Sequence, residues 1–444
     1  MKLGTLILLL LGLAAGGRSA DSFVPDRSGN FQVTLATEAR AFPEPLAPGT
    51  ASGFKIRGTK GWAWTPEQYL AEIPHLAEYK LNFLMNCYLS MFDIEHYAKW
   101  NDPDANRWWE DLPPAKKAAY EQVVRSAQAH GLEFCFSMNP NLFSRRTINE
   151  ESAGSIELLF KHYAWMQGLG VKWFNLSLDD ATNGVNAATQ AKVCNALFHR
   201  LRAHDPAAQM IFCPTYYWGD GTRPKQQAYL EELAAKLDPD VYVFWTGDAV
   251  VGKITRRAAE KFRALVGHRL FLWDNYPVND GHPTMHLGPV TDRDPDLCEV
   301  IDGYMSNPLR EQNEINRIPL ATCADYAYNP HGYDPARSIG QAIRLQAAKG
   351  SQQKVLADLV ATYPGMLLEP ASGHKTAFNP VRSQVDRLLA QPQTRPAAAG
   401  YVERLQHLAD ALNREFPGRY APEKKILADD LNYAEQKLAA NLPE

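Results

Sequence analysis

The chain has 444 residues, of which 45% are hydrophobic, and this is enough to bury a large core. Its length predicts two domains, one large and one smaller. With 46 basic and 50 acidic residues the net charge is −4, so no overall field favours nucleic acid or an anionic membrane as a partner. We expect a small, nearly neutral partner.

The first 20 residues have the pattern of an export signal. Met1-Lys2 is a short basic start, Leu3 to Ala15 is apolar, and small residues follow up to Ala20. The apolar stretch is too short to span a bilayer comfortably. We therefore predict a signal peptide at 1–20, a lead-in at 21–52, and an exported protein, periplasmic or extracellular, with no other membrane association.

Short apolar runs alternate with longer amphipathic segments from about Phe54 onward. Eight strand-helix units between residues 53 and 346 match the size of an α/β fold of the (β/α)8 TIM-barrel type. A glycine-rich dinucleotide-binding fingerprint is missing after the first strand, which argues against a doubly wound sheet. The predicted strands cover residues 54–61, 81–89, 132–139, 173–180, 209–217, 241–247, 269–277 and 303–307.

Two helix ends can be located from the sequence. Thr65-Pro66-Glu67-Gln68 combines an N-cap, a proline at the first helical position and a capping-box partner. Gly131 follows the helix that begins near Pro114, where a C-terminal glycine is expected.

The pattern becomes helical in the last part of the chain, at 347–444. Leu and Ala recur there at three- and four-residue spacing, between segments that contain proline or glycine. We predict a small α-helical bundle that packs on the barrel. Its helices are expected at 352–361, 380–391, 398–415 and 422–441.

Cysteine and histidine spacing predicts neither a disulfide framework nor a metal site. The six cysteines are scattered, and most of them lie inside apolar runs. Pro283 lies between His282 and His286, so these two cannot share one helical face as a ligand pair would. We expect no metal and no cofactor.

An adjacent acid pair, Asp179-Asp180, ends the fourth predicted strand. Neighbouring carboxylates can divide the acid and base roles, because one can hold a proton while the other is charged. In a (β/α)8 barrel the functional groups gather at the C-terminal ends of the strands. Other polar residues lie at the ends of later strands, namely Tyr217, Thr246-Gly247, Asn275, Asp280 and Asn307.

The order and spacing of several motifs resemble the catalytic domain of glycoside hydrolase family 84, the group of O-GlcNAcases and bacterial β-N-acetylglucosaminidases. The likeness covers residues 53–345, and its most specific piece is the block from Trp273 to Asp280. The motifs are Gly58-Thr59-Lys60-Gly61-Trp62-Ala63-Trp64-Thr65, Leu178-Asp179-Asp180, Cys213-Pro214-Thr215-Tyr216-Tyr217, Phe244-Trp245-Thr246-Gly247, Trp273-Asp274-Asn275-Tyr276-Pro277-Val278-Asn279-Asp280, Leu287-Gly288-Pro289 and Asn307-Pro308-Leu309.

The resemblance implies a retaining, substrate-assisted mechanism on terminal β-linked N-acetylglucosamine (GlcNAc) of a glycan or glycoprotein. In this mechanism the acetamido oxygen of the sugar attacks the anomeric carbon and forms an oxazoline. The catalytic residues would be Asp179, which orients the acetamido N–H, and Asp180, which acts as acid and then base.

The resemblance also implies a set of sugar-binding residues. Tyr217 would hold the acetamido oxygen, and Asn275 would bond the same group or nearby oxygens. Asp280 and Asn307 would bond sugar hydroxyls, while Gly58 would let the backbone approach the sugar. Tryptophan rings would form the walls of the pocket, with Trp64, Trp218, Trp245 and Trp273 as candidates.

The chain departs from the family pattern after the second strand. Family members carry Pro-Lys-Asp-Asp there, and the lysine contacts a sugar hydroxyl, whereas this chain has Asn86-Cys87-Tyr88-Leu89-Ser90. We hypothesise that Lys60 or Arg57, from the first strand, supplies the missing cation.

Three alternatives remain open from the sequence. A hyaluronidase-like endo-β-N-acetylglucosaminidase would use the same chemistry in an open cleft. A non-catalytic carbohydrate-binding barrel would explain the missing lysine but not the acid pair. A conventional two-carboxylate glycosidase would need a second acid that faces Asp180 from another strand, and no candidate stands out.

Overall fold

A computed structural model describes residues 32–38, 40–91, 105–144, 146–148, 153–180, 185–365 and 375–441. The predicted signal peptide at 1–20 lies outside the described residues, as does the predicted lead-in before residue 32. Within the described ranges, no helix combines the length and the apolar character that a bilayer crossing requires.

Eight strands close into a barrel in chain order. Each pairs in parallel with its neighbours, and the last closes on the first, with Gly58 opposite Met305. The closed barrel confirms the predicted fold and the eight predicted strands. They are β1 (Ile56–Thr59), β2 (Phe83–Met85), β3 (Glu133–Met138), β4 (Trp173–Ser177), β5 (Gln209–Cys213), β6 (Tyr242–Trp245), β7 (Leu270–Pro277) and β8 (Gly303–Asn307).

Amphipathic helices connect each strand to the next from β1 to β7, and two more follow β8. The connection between β7 and β8, which is described throughout, contains a 3-10 turn, Leu297–Glu299, and no α-helix. The predicted capping box is present, because Thr65 and Gln68 each bond the other's backbone at the start of the first helix. The helices are α1 (Pro66–Glu78), α2 (Pro114–Ala129), α3 (Ala153–Gly168), α4 (Ala187–His204), α5 (Pro224–Lys236), α6 (Arg256–Val266), α7 (Asn313–Tyr328) and α8 (Pro335–Gln346).

Aromatic rings fill the barrel interior near the strand starts. Phe83 packs against Trp173 and Phe271, with ring centroids 5.7 and 5.1 Å away. Gly303 makes room for this cluster, since a Cβ there would lie 2.5 Å from the Phe271 ring. The interior near the strand starts is therefore a packed core.

A buried ion pair holds the long connection between β7 and β8. Arg293 donates to both carboxylate oxygens of Asp274, at 2.9 and 2.6 Å, and Tyr304 donates to the same carboxylate at 2.8 Å. Both charged side chains are almost completely buried. The pair thus fixes the connection to β7, the strand that contains Asn275.

The C-terminal part is helical, as predicted, and its four helices pack on one another. They are α9 (Gly350–Thr362), α10 (Pro380–Ala390), α11 (Arg395–Glu415) and α12 (Ala421–Ala439). The four predicted segments coincide with these helices to within a few residues. The division of the chain into a barrel domain at 53–346 and a helical region at 347–444 stays a prediction.

Candidate active site

A cavity of about 700 Å³ opens at the C-terminal ends of the barrel strands. Its walls come from the C-terminal residues of some strands, from the segments that follow the strands and from one turn of the C-terminal part. The lining residues are Lys60, Trp62, Tyr88, Leu142, Phe143, Asp179, Asp180, Cys213, Tyr217, Trp218, Thr246, Val250, Val251, Trp273, Asn275, Asp280, His282, Asn307, Thr376 and Ala377.

Asp179 lies on the cavity wall two residues after β4 and is only 5% exposed. Tyr88 donates a hydrogen bond to its Oδ2 at 2.7 Å. The Asn139 amide donates to its Oδ1 at 3.1 Å. The carboxylate is therefore held in one orientation by residues from two other strand ends.

The pKa of Asp179 is raised to about 6, chiefly because burial disfavours the charged form. The neighbouring Asp180 carboxylate also raises this pKa, whereas Lys60 and the hydrogen bond from Tyr88 lower it. Asp179 therefore changes its protonation state in the weakly acidic range, where a buried acid of a catalytic pair is expected to titrate.

Asp180 differs from its neighbour in exposure and in backbone conformation. Its side chain is exposed, and Tyr217 donates to its Oδ1 at 2.9 Å. Its φ is +55°, a left-handed conformation that is uncommon for residues other than glycine. Phe143 and Asp280, which also line the cavity, have φ of +54° and +47°. Such strained residues cluster at functional sites.

Lys60 places a buried cation at the cavity wall. Its Nζ lies 3.9, 4.5 and 5.1 Å from the ring centroids of Trp273, Trp62 and Tyr88. The side chain is 2% exposed, and burial lowers the pKa of its ammonium group while Asp179 and Asp280 raise it. Within the described residues this ammonium makes no hydrogen bond or ion pair, so its three donors are available to a bound ligand.

Arg57, the other candidate for the missing cation, lies away from the cavity. Its guanidinium donates to the carbonyl oxygens of Phe54 and Lys80, and it packs over the Tyr328 ring at 5.4 Å. These contacts tie the start of β1 to its surroundings. Of the two hypothesised cations, the structure places Lys60 in the cavity and Arg57 outside it.

Asn275 and Asn307 meet on the wall that β7 and β8 form. The Asn307 amide donates to Oδ1 of Asn275 at 2.9 Å, and Asn275 donates to the carbonyl of Val250 at 2.8 Å. The Oδ1 atom of Asn307 is buried without a hydrogen-bond partner in the described structure. This acceptor is therefore available for a ligand hydroxyl.

The cavity brings together seven of the nine predicted site residues, with Gly58 and Trp245 as the exceptions. Gly58 lies inside β1, where a Cβ would sit 2.1 Å from the carbonyl oxygen of Phe83. Trp245 is fully buried, and its indole N–H donates to the carbonyl of Gly219 at 2.8 Å. In this structure both residues support the barrel wall, and neither lines the cavity.

Sequence reasoning missed several residues of the site. Tyr88 and Asn139 follow the second and third strands, so the strand-end rule that found Asp179 could also have found them. No sequence signal marked Thr376 or Ala377, which come from the C-terminal part. Among the described residues, no cluster of three or more His, Cys, Asp or Glu side chains could hold a metal ion.

The chain matches a family model described as beta-N-acetylglucosaminidase over residues 55–360. The chain belongs to this beta-N-acetylglucosaminidase family. This membership confirms the resemblance to glycoside hydrolase family 84.

Two curated relatives are the proteins named Protein O-GlcNAcase of Mus musculus and Rattus norvegicus, each 26% identical to this chain. The mouse match covers 72% of this chain and 34% of the relative, and the rat match covers 62% and 30%. The chain thus spans about a third of the length of these relatives.

The fold of this family member also matches solved structures. A mutant of the O-GlcNAc hydrolase of Thermobaculum terrenum superposes with a TM-score of 0.69 at 22% identity, over 86% of this chain and 83% of that one. At this identity the match shows a shared fold. The match extends well beyond the barrel, so the likeness includes C-terminal helices.

Proposed function

We propose that this protein is an exported, retaining β-N-acetylglucosaminidase that removes terminal β-linked GlcNAc from glycans or glycoproteins. The observation that carries the proposal is the pairing of a buried Asp179 and an exposed Asp180 in one cavity, each with its own tyrosine donor. Membership of the beta-N-acetylglucosaminidase family supports GlcNAc as the sugar that is released. The export pattern at 1–20 supports the location.

In the first step the acetamido oxygen of the sugar would attack the anomeric carbon. The bond from that carbon to the leaving oxygen breaks, and its electron pair goes to the oxygen, which takes the proton of Asp180. Asp179, held by Tyr88 and Asn139, accepts a hydrogen bond from the acetamido N–H. Its negative charge stabilises the positive charge that develops on the oxazoline ring. The product of this step is an oxazoline protonated on nitrogen, whose N–H remains hydrogen-bonded to the Asp179 carboxylate.

In the second step water would attack the anomeric carbon and open the oxazoline. The Asp180 carboxylate accepts a proton from that water, and the acetamido group is restored. Because the anomeric carbon is attacked twice, its configuration is retained. The exposed position of Asp180 suits this step, since water and the leaving group both reach the cavity from solvent.

The same geometry weighs against a non-catalytic carbohydrate-binding barrel. Sugar binding alone needs neither a buried acid with a raised pKa nor a strained acid beside it. The missing family lysine does not argue for that alternative either, because Lys60, which directly follows β1, presents a cation in the cavity.

The test is hydrolysis of nitrophenyl β-N-acetylglucosaminide by the purified mature protein. The matched control substrate is nitrophenyl β-glucoside, which lacks the acetamido group and cannot form an oxazoline. We expect turnover of the first substrate only, and its loss in folded Asp179→Asn protein, because that variant should be impaired with any leaving group. Equal turnover of both substrates would indicate a two-carboxylate mechanism and would overturn the proposal.

A further inference from the structure

Two residues from outside the barrel line the cavity. Thr376 and Ala377 belong to a 3-10 turn, Lys375–Ala377, between α9 and α10. They lie beyond the residues that match the family model, which end at 360. Thr376 is buried and Ala377 is exposed toward the cavity. The C-terminal part therefore contributes directly to the site.

The chain on both sides of this turn is seated on the connection between β7 and β8. The backbone N–H of Leu287 donates to the carbonyl of Tyr363 at 2.9 Å, and Thr284 Oγ1 donates to the carbonyl of Phe378 at 3.3 Å. Gly288 approaches Pro364 so closely that a Cβ would lie 1.7 Å from its carbonyl oxygen. The contact is thus closely packed on the connection that carries Asp280.

A buried carboxylate anchors both flanks of the turn to the last helix. Asp430 of α12 is fully buried and accepts hydrogen bonds from Tyr363 at 2.9 Å and from Asn379 at 2.9 Å. Arg382 adds a third bond at 2.7 Å. Since a buried charge is stable only with such partners, this network fixes the position of the turn.

The turn and the proposed acid lie at different places around the barrel. Asp180 follows β4, whereas the turn packs on the connection after β7, three strands further round the closed barrel. A leaving group protonated by Asp180 must lie on the β4 side. The turn therefore faces the side of the sugar that points away from the leaving group.

We infer that Thr376 and Ala377 form a wall that closes the pocket on this far side and so restrict it to a terminal sugar unit. The inference rests on the proposed function for the orientation of the sugar. It assigns a specificity role to the C-terminal part of the chain, and it favours release of terminal residues over cleavage inside a polymer.

The experiment introduces a bulky side chain into the cavity from position 377 of the wall. Ala377→Trp adds a ring to the cavity, and Ala421→Trp, at an exposed site on α12, is the matched control. Ala377→Ser tests whether a small change is tolerated. For each protein we would measure KM and kcat with nitrophenyl β-N-acetylglucosaminide and with a GlcNAc-bearing peptide, and GlcNAc binding by calorimetry.

Both substrates share the terminal sugar, so Ala377→Trp should raise KM for both by a similar factor, about tenfold or more as for an overpacked site. Ala421→Trp and Ala377→Ser should behave like the wild type. Wild-type protein should shorten a reducing-end-labelled GlcNAc oligomer one unit at a time.

Three results would overturn the inferred role of Thr376 and Ala377. They are unchanged kinetics and binding in Ala377→Trp, a loss with the peptide substrate only, and internal cleavage of the labelled oligomer by the wild type. The calorimetry separates this inference from the proposed function. Suppose that the wild type binds GlcNAc without hydrolysing its glycosides, and that Ala377→Trp weakens that binding. The inferred role of Thr376 and Ala377 would then be supported, and the proposed enzymatic function would be overturned. If the wild type neither binds GlcNAc nor hydrolyses its glycosides, both proposals fall.

Discussion

Tyr88 donates a 2.7 Å hydrogen bond to Oδ2 of Asp179, joining the segment after β2 to the segment after β4. The same tyrosine ring lies 5.1 Å from the Lys60 ammonium. One side chain thus orients the buried acid and forms part of the surroundings of the buried cation.

Tyr88→Phe should lower kcat while it keeps the ring beside Lys60. A hydrogen bond to a charged group is worth about 1.5–3 kcal/mol, so the loss should be roughly 10- to 150-fold. Because this bond lowers the pKa of Asp179, its removal should also raise that pKa. Steady-state kinetics across pH 4 to 8 would measure both effects.

The control for Tyr88→Phe is Tyr433→Phe, which removes a tyrosine-to-aspartate hydrogen bond on the surface, to Asp386. It should leave kcat unchanged. If Tyr88→Phe behaves like this control, Tyr88 has no role in positioning Asp179.

Asp180→Asn should reduce the rate about a hundredfold to ten-thousandfold with a poor leaving group, the usual scale for a positioned acid. With nitrophenolate, which needs little protonation, the first step should suffer least. The Asp179→Asn variant should have a reduced rate with the poor leaving group and with nitrophenolate alike. The measurement is a series of aryl glycosides with leaving groups of graded acidity. The same loss along the series in Asp180→Asn would contradict its role as the acid.

The activity should fall as the pH drops below about 6, because Asp179 must be ionised to stabilise the acetamido group and its pKa is about 6. Lys60 lowers that pKa, so Lys60→Met should move the acidic limb of kcat/KM to higher pH. The matched control is Lys55→Met, an exposed lysine just before β1. An acidic limb that stays in place in Lys60→Met would show that the cation does not act on Asp179.

Asp179→Asn should make the protein more stable at neutral pH. The folded-state pKa of Asp179 is about 6, above its unfolded value, so folding binds a proton between about pH 4 and 6 and loses stability as the pH rises through that window. The asparagine variant avoids this cost, which we expect to be about 1–3 kcal/mol at pH 7.5.

Thermal unfolding from pH 4 to 8 would measure this difference. The two melting temperatures should approach each other as the pH falls toward 4, because folded Asp179 is then protonated and unfolded Asp179 is about half protonated. Asp410→Asn, on the exposed face of α11, should show no such trend. A constant gap at every pH would mean that the stabilisation does not come from the buried charge.

Local signals in the sequence located the elements of the barrel well. The capping box at Thr65 and the apolar runs of the eight strands depend on contacts between residues that are close in the chain, so the pattern alone predicts them. Asp179 could be found for the same reason, since it ends a recognisable strand. Trp64 and Trp245 show the limit, because a tryptophan beside a strand end packs equally well inside the wall or into the cavity.

The sequence by itself determined the (β/α)8 barrel, the helical C-terminal part, the acid pair and the family, because periodicity and motif order are properties of neighbouring residues. The tertiary structure decided which cation enters the cavity, since Arg57 in β1 and Lys60, which directly follows β1, lie in different surroundings. It also decided that burial raises the pKa of Asp179 and that Thr376 joins the wall. These outcomes depend on packing between segments that are far apart in the chain, and no local pattern records such contacts.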